Sequence, residues 1–141
     1  MRLYEGLALA GLLIELFGWS TSFLFLGFYD IFQSLPGKAR QIYFSLIIER
    51  LQAIHDWFVQ QSCLAFYGSS VLIVYEGSAE YLQSIAHQHD TVSLTQELGN
   101  LLQVRMIDFV HVWETDQRDE NYIQGVDSLI NYIHQLSILY K

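Results

Sequence analysis

Six positions near the C-terminus, Tyr122, Val126, Leu129, Ile133, Leu136 and Tyr140, recur at intervals of four and three residues. That is the period of one face of an α-helix, and so long an apolar stripe must be buried against a partner. A second stripe has the same spacing: Tyr43, Ile47, Leu51, Ile54 and Phe58, with Arg40, Glu49, Arg50, Gln52 and Asp56 between them. The two stripes predict helices over 38–61 and about 121–140. Pro36-Gly37 breaks the chain before the first. Asp119 and Glu120 favour the start of the second through the helix dipole. Between the helices, Val71–Glu76 is rich in β-branched and aromatic residues and predicts a strand that Gly77 ends. Gln103–Ile107 predicts a second strand, antiparallel to the first across a long insertion. Residues 78–92 are polar and turn-like. Ser93 and Gln96 have the spacing of a capping box, ahead of a short helix with Leu94, Leu98, Leu101 and Leu102 on one face. The expected class is α+β, a small antiparallel sheet flanked by helices.

At 141 residues the chain is one domain or part of one. Its only cysteine, Cys63, cannot form an internal disulfide, and it reads as a small buried hydrophobe. With no cysteine framework, a reducing cytoplasmic or nuclear location is expected. The net charge of −8 excludes nucleic acid as a partner, because no basic patch exists. Residues 1–30 are an unassigned apolar segment. Within it, 7–28 is long enough to span a bilayer, but Glu15 near its middle opposes insertion. A buried or docked segment is the favoured reading, with membrane association and a signal sequence as alternatives.

The stretch from Val104 to His111 carries the chemistry. A short apolar strand ends on one carboxylate, Asp108, followed by an aromatic and a histidine. Phosphoryl transfer needs such a carboxylate to hold Mg²⁺, since catalysis there is mostly positioning and charge neutralisation. The alternative is an Asp that merely caps a turn. His87-Gln88-His89-Asp90 reads as a solvated loop, because no second pair of metal ligands accompanies it. His55 reads as an edge residue of its helix, and Tyr132 and His134 as outer-face residues of the last one.

Three blocks occur in a recognisable order: Phe66-Tyr67-Gly68-Ser69-Ser70-Val71-Leu72, then Ile107-Asp108-Phe109, then Asp119-Glu120-Asn121-Tyr122-Ile123 with Gly125. Together, over residues 31–141, they resemble the C-terminal part of the inositol polyphosphate kinase family, and within it the multikinases most. The Ser-Ser-Val-Leu block is similar to the family's Ser-Leu-Leu motif, with Val71 in place of its first Leu. Trp57-Phe58, nine residues before Phe66-Tyr67, also fits. The resemblance implies the C-lobe of that kinase fold without its N-terminal lobe, ATP and Mg²⁺ as cofactors, and an inositol phosphate as substrate. It implies Asp108 as the Mg²⁺ ligand. Ser70 would lie near the metal and nucleotide phosphates; the alternative is that Ser69 and Ser70 satisfy backbone groups at a strand start. His111 would approach the inositol.

The family's earlier motif, Pro-x-x-x-Asp-x-Lys-x-Gly, does not occur. The one proline is Pro36, the residue four beyond it is Arg40, and the only lysines are Lys38 and Lys141. The expectation is therefore a truncated, alternatively started or degenerate member. Such a chain would be inactive alone and prone to self-association through the face an N-lobe would cover. The rival reading is a non-catalytic C-lobe interaction module.

Overall fold

A computed structural model describes residues 9–15, as backbone, and 32–140. The elements run β1 (Leu9–Glu15), α1 (Gly37–Gln60), β2 (Leu64–Tyr67), β3 (Ser70–Glu76), α2 (Ala79–Gln88), α3 (Thr91–Asn100), β4 (Gln103–Ile107), β5 (His111–Glu114) and α4 (Glu120–Leu139). The class is α+β, with two small antiparallel sheets. One has the order β1-β3-β4 and the other pairs β2 with β5.

The two long helices form where their stripes require. Tyr43, Phe44, Ile47, Leu51 and Phe58 of α1 are fully buried, and α4 buries Tyr122, Val126, Leu129, Ile133 and Leu136. The helices pack on each other. Phe58 stacks on Tyr122 at 4.0 Å between centroids, and Phe44 lies 6.0 Å from Tyr140. At the surface Gln41 donates to the Ser137 carbonyl, and His55 Nε2 lies 3.2 Å from Asp127 Oδ1. His55, read from sequence as a solvated or edge residue without a catalytic partner, thus bridges α1 to α4. Alternate residues of β3, Val71, Ile73 and Tyr75, are buried, and the Tyr43 hydroxyl donates to the Glu76 carbonyl at the strand's end.

Arginines close the helix ends. The Arg40 guanidinium donates to the carbonyls of Gln33, Leu35 and Tyr140 and lies 4.2 Å from the centre of the Tyr140 ring. Arg50 donates to the Gly99 and Leu102 carbonyls, satisfying the C-terminal end of α3.

Four expectations are corrected. Residues 79–88 are the helix α2, capped by Ser78, whose Oγ accepts from the Tyr81 amide. Leu82 and Ile85 of it are buried and Tyr81 and Ala86 pack on the same side, an apolar face that spans fewer than three turns. The cap of α3 is Asp90, accepting from the Ser93 amide at 2.7 Å, not Ser93 itself. Tyr132 is buried, so the apolar arc of α4 is wider than its four-and-three stripe. Cys63 is exposed, because it falls in the turn between α1 and β2. His134 lies on the outer face as expected. The membrane reading of 7–28 falls outside the described residues except at β1. Among the described residues no helix is long and apolar enough to cross a membrane.

Burial sets an alkaline limit on this core. Desolvation pushes the Tyr75 phenol from 10.0 up to about 12. It also pushes Tyr43 and Tyr122 above the usual phenol range. A raised folded value keeps its stabilisation below the unfolded value and loses it as pH rises through the folded one. These tyrosines should therefore leave stability unchanged up to about pH 10 and make it fall steeply beyond it. Urea midpoints against pH, followed alongside tyrosinate absorbance, would show this; tyrosines titrating near pH 10 without unfolding would contradict it.

Candidate active site

Asp108 follows β4 directly and lies where the two sheets meet. The chain crosses from β2 to β3 through Gly68 and Ser69, and from β4 to β5 through Asp108, Phe109 and Val110. These crossings run side by side, because Ser70 pairs with Ile107 on one flank and Tyr67 with His111 on the other. Two residues therefore oppose three, the count of a β-bulge, which often re-aims a side chain. Both crossings use left-handed backbone: Gly68 has φ +68° and Asp108 has φ +66°. Glycine adopts that region freely, whereas Asp does so at a cost, though less than most residues. A non-glycine residue held there is the kind of strain that clusters at functional sites.

The three residues named from sequence meet at these crossings. Asp108 and His111 are exposed, while Ser70 is buried and is the less accessible oxygen donor. Ser70, Leu72, Arg105 and Ile107 share one face of the β3–β4 pair, opposite the buried Val71, Ile73 and Tyr75. On the β2–β5 pair, Tyr67, His111 and Trp113 share the exposed face, and Phe66 lies on the other, buried. Phe109 is half exposed, with its ring 6.0 Å from that of Phe66.

Two further residues build the site. The Ser69 hydroxyl, buried, donates to the Asp108 carbonyl at 3.0 Å. The alternative from sequence had Ser69 and Ser70 satisfy backbone groups at a strand start; Ser69 does satisfy one, but it lies 39 residues away in sequence and belongs to Asp108. Asp119 is also buried. One of its carboxylate oxygens accepts from the Tyr122 amide at 3.0 Å and the other from the Phe66 amide at 2.7 Å. It therefore caps α4 and ties that helix to β2, beyond the dipole role legible from sequence. Asp119→Ala would remove a cap and strand a buried amide, each worth on the order of 1–2 kcal/mol. A loss of roughly 2–4 kcal/mol in urea unfolding is expected, and a loss under 1 kcal/mol would contradict the double role.

A divalent metal fits these residues in one way. Among the described residues no group of three or more His, Cys, Asp or Glu side chains could hold an ion. A single carboxylate with a neighbouring hydroxyl suits Mg²⁺ that arrives with phosphates, since that ion is commonly held by one or two carboxylates plus phosphate oxygens.

The inositol polyphosphate kinase family profile matches residues 25–134. Among solved structures, the inositol phosphate multikinase Ipk2 from S. cerevisiae, in complex with ADP and Mn²⁺, is similar to this chain. The TM-score is 0.64 at 20% identity, over 84% of this chain and 47% of that one. A second inositol phosphate multikinase structure is 27% identical over 63% of this chain and 33% of its own, with a TM-score of 0.46. No curated protein matches the chain in sequence. The chain spans about half the length of the first of these structures. The family profile covers more than three quarters of the chain, and its fold is that of the yeast kinase over the shared part. This chain belongs to the inositol polyphosphate kinase family.

Proposed function

We propose that the chain carries the metal- and phosphate-facing side of a site for ATP-dependent phosphorylation of inositol phosphates. The observation that carries this reading is the placement of Asp108: a strained, exposed carboxylate at a sheet crossing, beside Ser70 and within the same turn as His111. Asp108 would hold Mg²⁺ brought in with ATP, as the ADP and Mn²⁺ of the yeast kinase encourage. Ser70 would support the phosphate side. His111, at the start of β5, would hydrogen-bond an inositol hydroxyl or phosphate. The ion, when bound, supplies the charge neutralisation that phosphoryl transfer depends on. The exposed thiol of Cys63 suits a reducing cytoplasmic or nuclear location.

A second reading has its own support. The described cations are largely committed elsewhere: Arg40 and Arg50 to backbone carbonyls, and Arg118 to Glu120 at 2.9 Å. A C-lobe serving as a non-catalytic interaction module would need none of them for phosphate. Titrating the chain with Mn²⁺ by electron paramagnetic resonance, with and without ADP, separates the two. The kinase reading predicts that ADP promotes Mn²⁺ binding and that Asp108→Asn weakens it at least about tenfold, since a charged ligand is lost. Equal Mn²⁺ binding in both proteins would favour the interaction module.

A further inference from the structure

The unequal crossings leave one residue to be absorbed on the β4–β5 side, and the left-handed turn at Asp108 absorbs it. That conformation is unfavourable for any L-residue other than glycine, so something must hold it. The two crossings touch through one side-chain hydrogen bond, from Ser69 Oγ to the Asp108 carbonyl, at 3.0 Å. The donor is rigidly placed: Ser69 is only 2% exposed and sits between Gly68, at positive φ, and the first residue of β3. The acceptor belongs to the peptide plane between Asp108 and Phe109. Fixing that carbonyl fixes the plane, and the plane sets the backbone from which the Asp108 carboxylate projects.

We infer that Ser69 is a positioning residue. Its hydroxyl locks the Asp108 peptide in the left-handed turn and so aims the carboxylate before metal or nucleotide arrives. The inference rests on the metal role given to Asp108 above. Pre-set geometry of this kind raises affinity by removing an ordering cost from binding. Ser69 is thus distinct from Ser70, which would act on the ligand side. Its loss should act locally, because Asp108 is exposed and water can take over the freed carbonyl.

The test uses the 141-residue chain and two readouts. The amide-to-Hα nuclear Overhauser effect within residue 108 reports the sign of φ without any ligand. Mn²⁺ binding in the presence of ADP reports the carboxylate. Ser69→Ala should lose the left-handed signature and weaken Mn²⁺ binding roughly three- to tenfold, the range that loss of one neutral hydrogen bond supports. Ser69→Thr, which keeps the hydroxyl, should retain both. Asp108→Asn should keep the left-handed signature, which Asn tolerates, and lose the Mn²⁺. If Ser69→Ala leaves residue 108 left-handed, or weakens Mn²⁺ no more than Ser69→Thr does, the positioning role is overturned. If instead Asp108→Asn binds Mn²⁺ normally, the metal assignment fails and takes the positioning role with it; the Overhauser readout still shows whether the lock exists. Should Ser69→Ala not fold, the unmutated chain decides: a slowly exchanging Ser69 hydroxyl proton close to the Phe109 Hα supports the lock, and a freely exchanging one overturns it.

Discussion

Phe58→Ala is expected to destabilise the chain by about 3–5 kcal/mol, the range for deleting a buried phenyl ring. The ring is fully buried and stacks on Tyr122 at 4.0 Å, with Phe66 edge-on at 5.2 Å. Those contacts join α1, α4 and β2, so the cavity would open where three elements meet and could not collapse from one side. Whole-domain stabilities of about 5–15 kcal/mol mean that much of the folded population is at stake. Urea unfolding would measure it. The neighbouring Trp57, 44% exposed, serves as control: Trp57→Ala should cost much less. Equal losses would show that the helix junction at Phe58 is not where the core is anchored.

The second large effect is an absence of turnover. Offered ATP, Mg²⁺ and an inositol trisphosphate, the 141-residue chain should transfer no measurable phosphate. Stabilising charge on the moving phosphoryl group is the main catalytic contribution in such reactions. The sequence has no Pro-x-x-x-Asp-x-Lys-x-Gly motif. Of the described cations, Lys38 and Arg105 are exposed, and Arg105 donates to Gln103 on its own strand. Radiolabelled ATP gives the sensitivity required. Turnover that disappears in Asp108→Asn would contradict this expectation and show that the residues present suffice.

The long helices were legible because each carries a stripe long enough to fix its period; that the two stripes pack on each other was not. Strand β3 was legible for a related reason: a β-branched run that ends at Gly77 has few other uses, and β4 followed as its antiparallel partner. The strands β2 and β5 were not, since four residues each, two of them exposed aromatics, give no alternation to read. Helix α2 was missed because its apolar face, Tyr81, Leu82, Ile85 and Ala86, is short and lies among polar residues that resemble a loop. At the site, Asp108 and His111 could be named because three blocks in order resemble a family's motifs; a carboxylate at a strand end is by itself a weak signal. The work of Ser69 and Asp119 could not, because it depends on which backbone groups the fold delivers to them. The Ser69 bond spans 39 residues and the Asp119–Phe66 bond 53, and no local pattern encodes either.

The central claim is that nucleotide-borne metal binds at the crossing of the two sheets. Paramagnetic broadening of backbone amide resonances by Mn²⁺ with ADP tests it residue by residue. Signals from Gly68 to Ser70 and from Asp108 to His111 should broaden first, and the same resonances should be spared in Asp108→Asn. Broadening centred instead on Asp56 and Asp127, the carboxylates flanking His55, would place the ion on the helix surface and contradict the account.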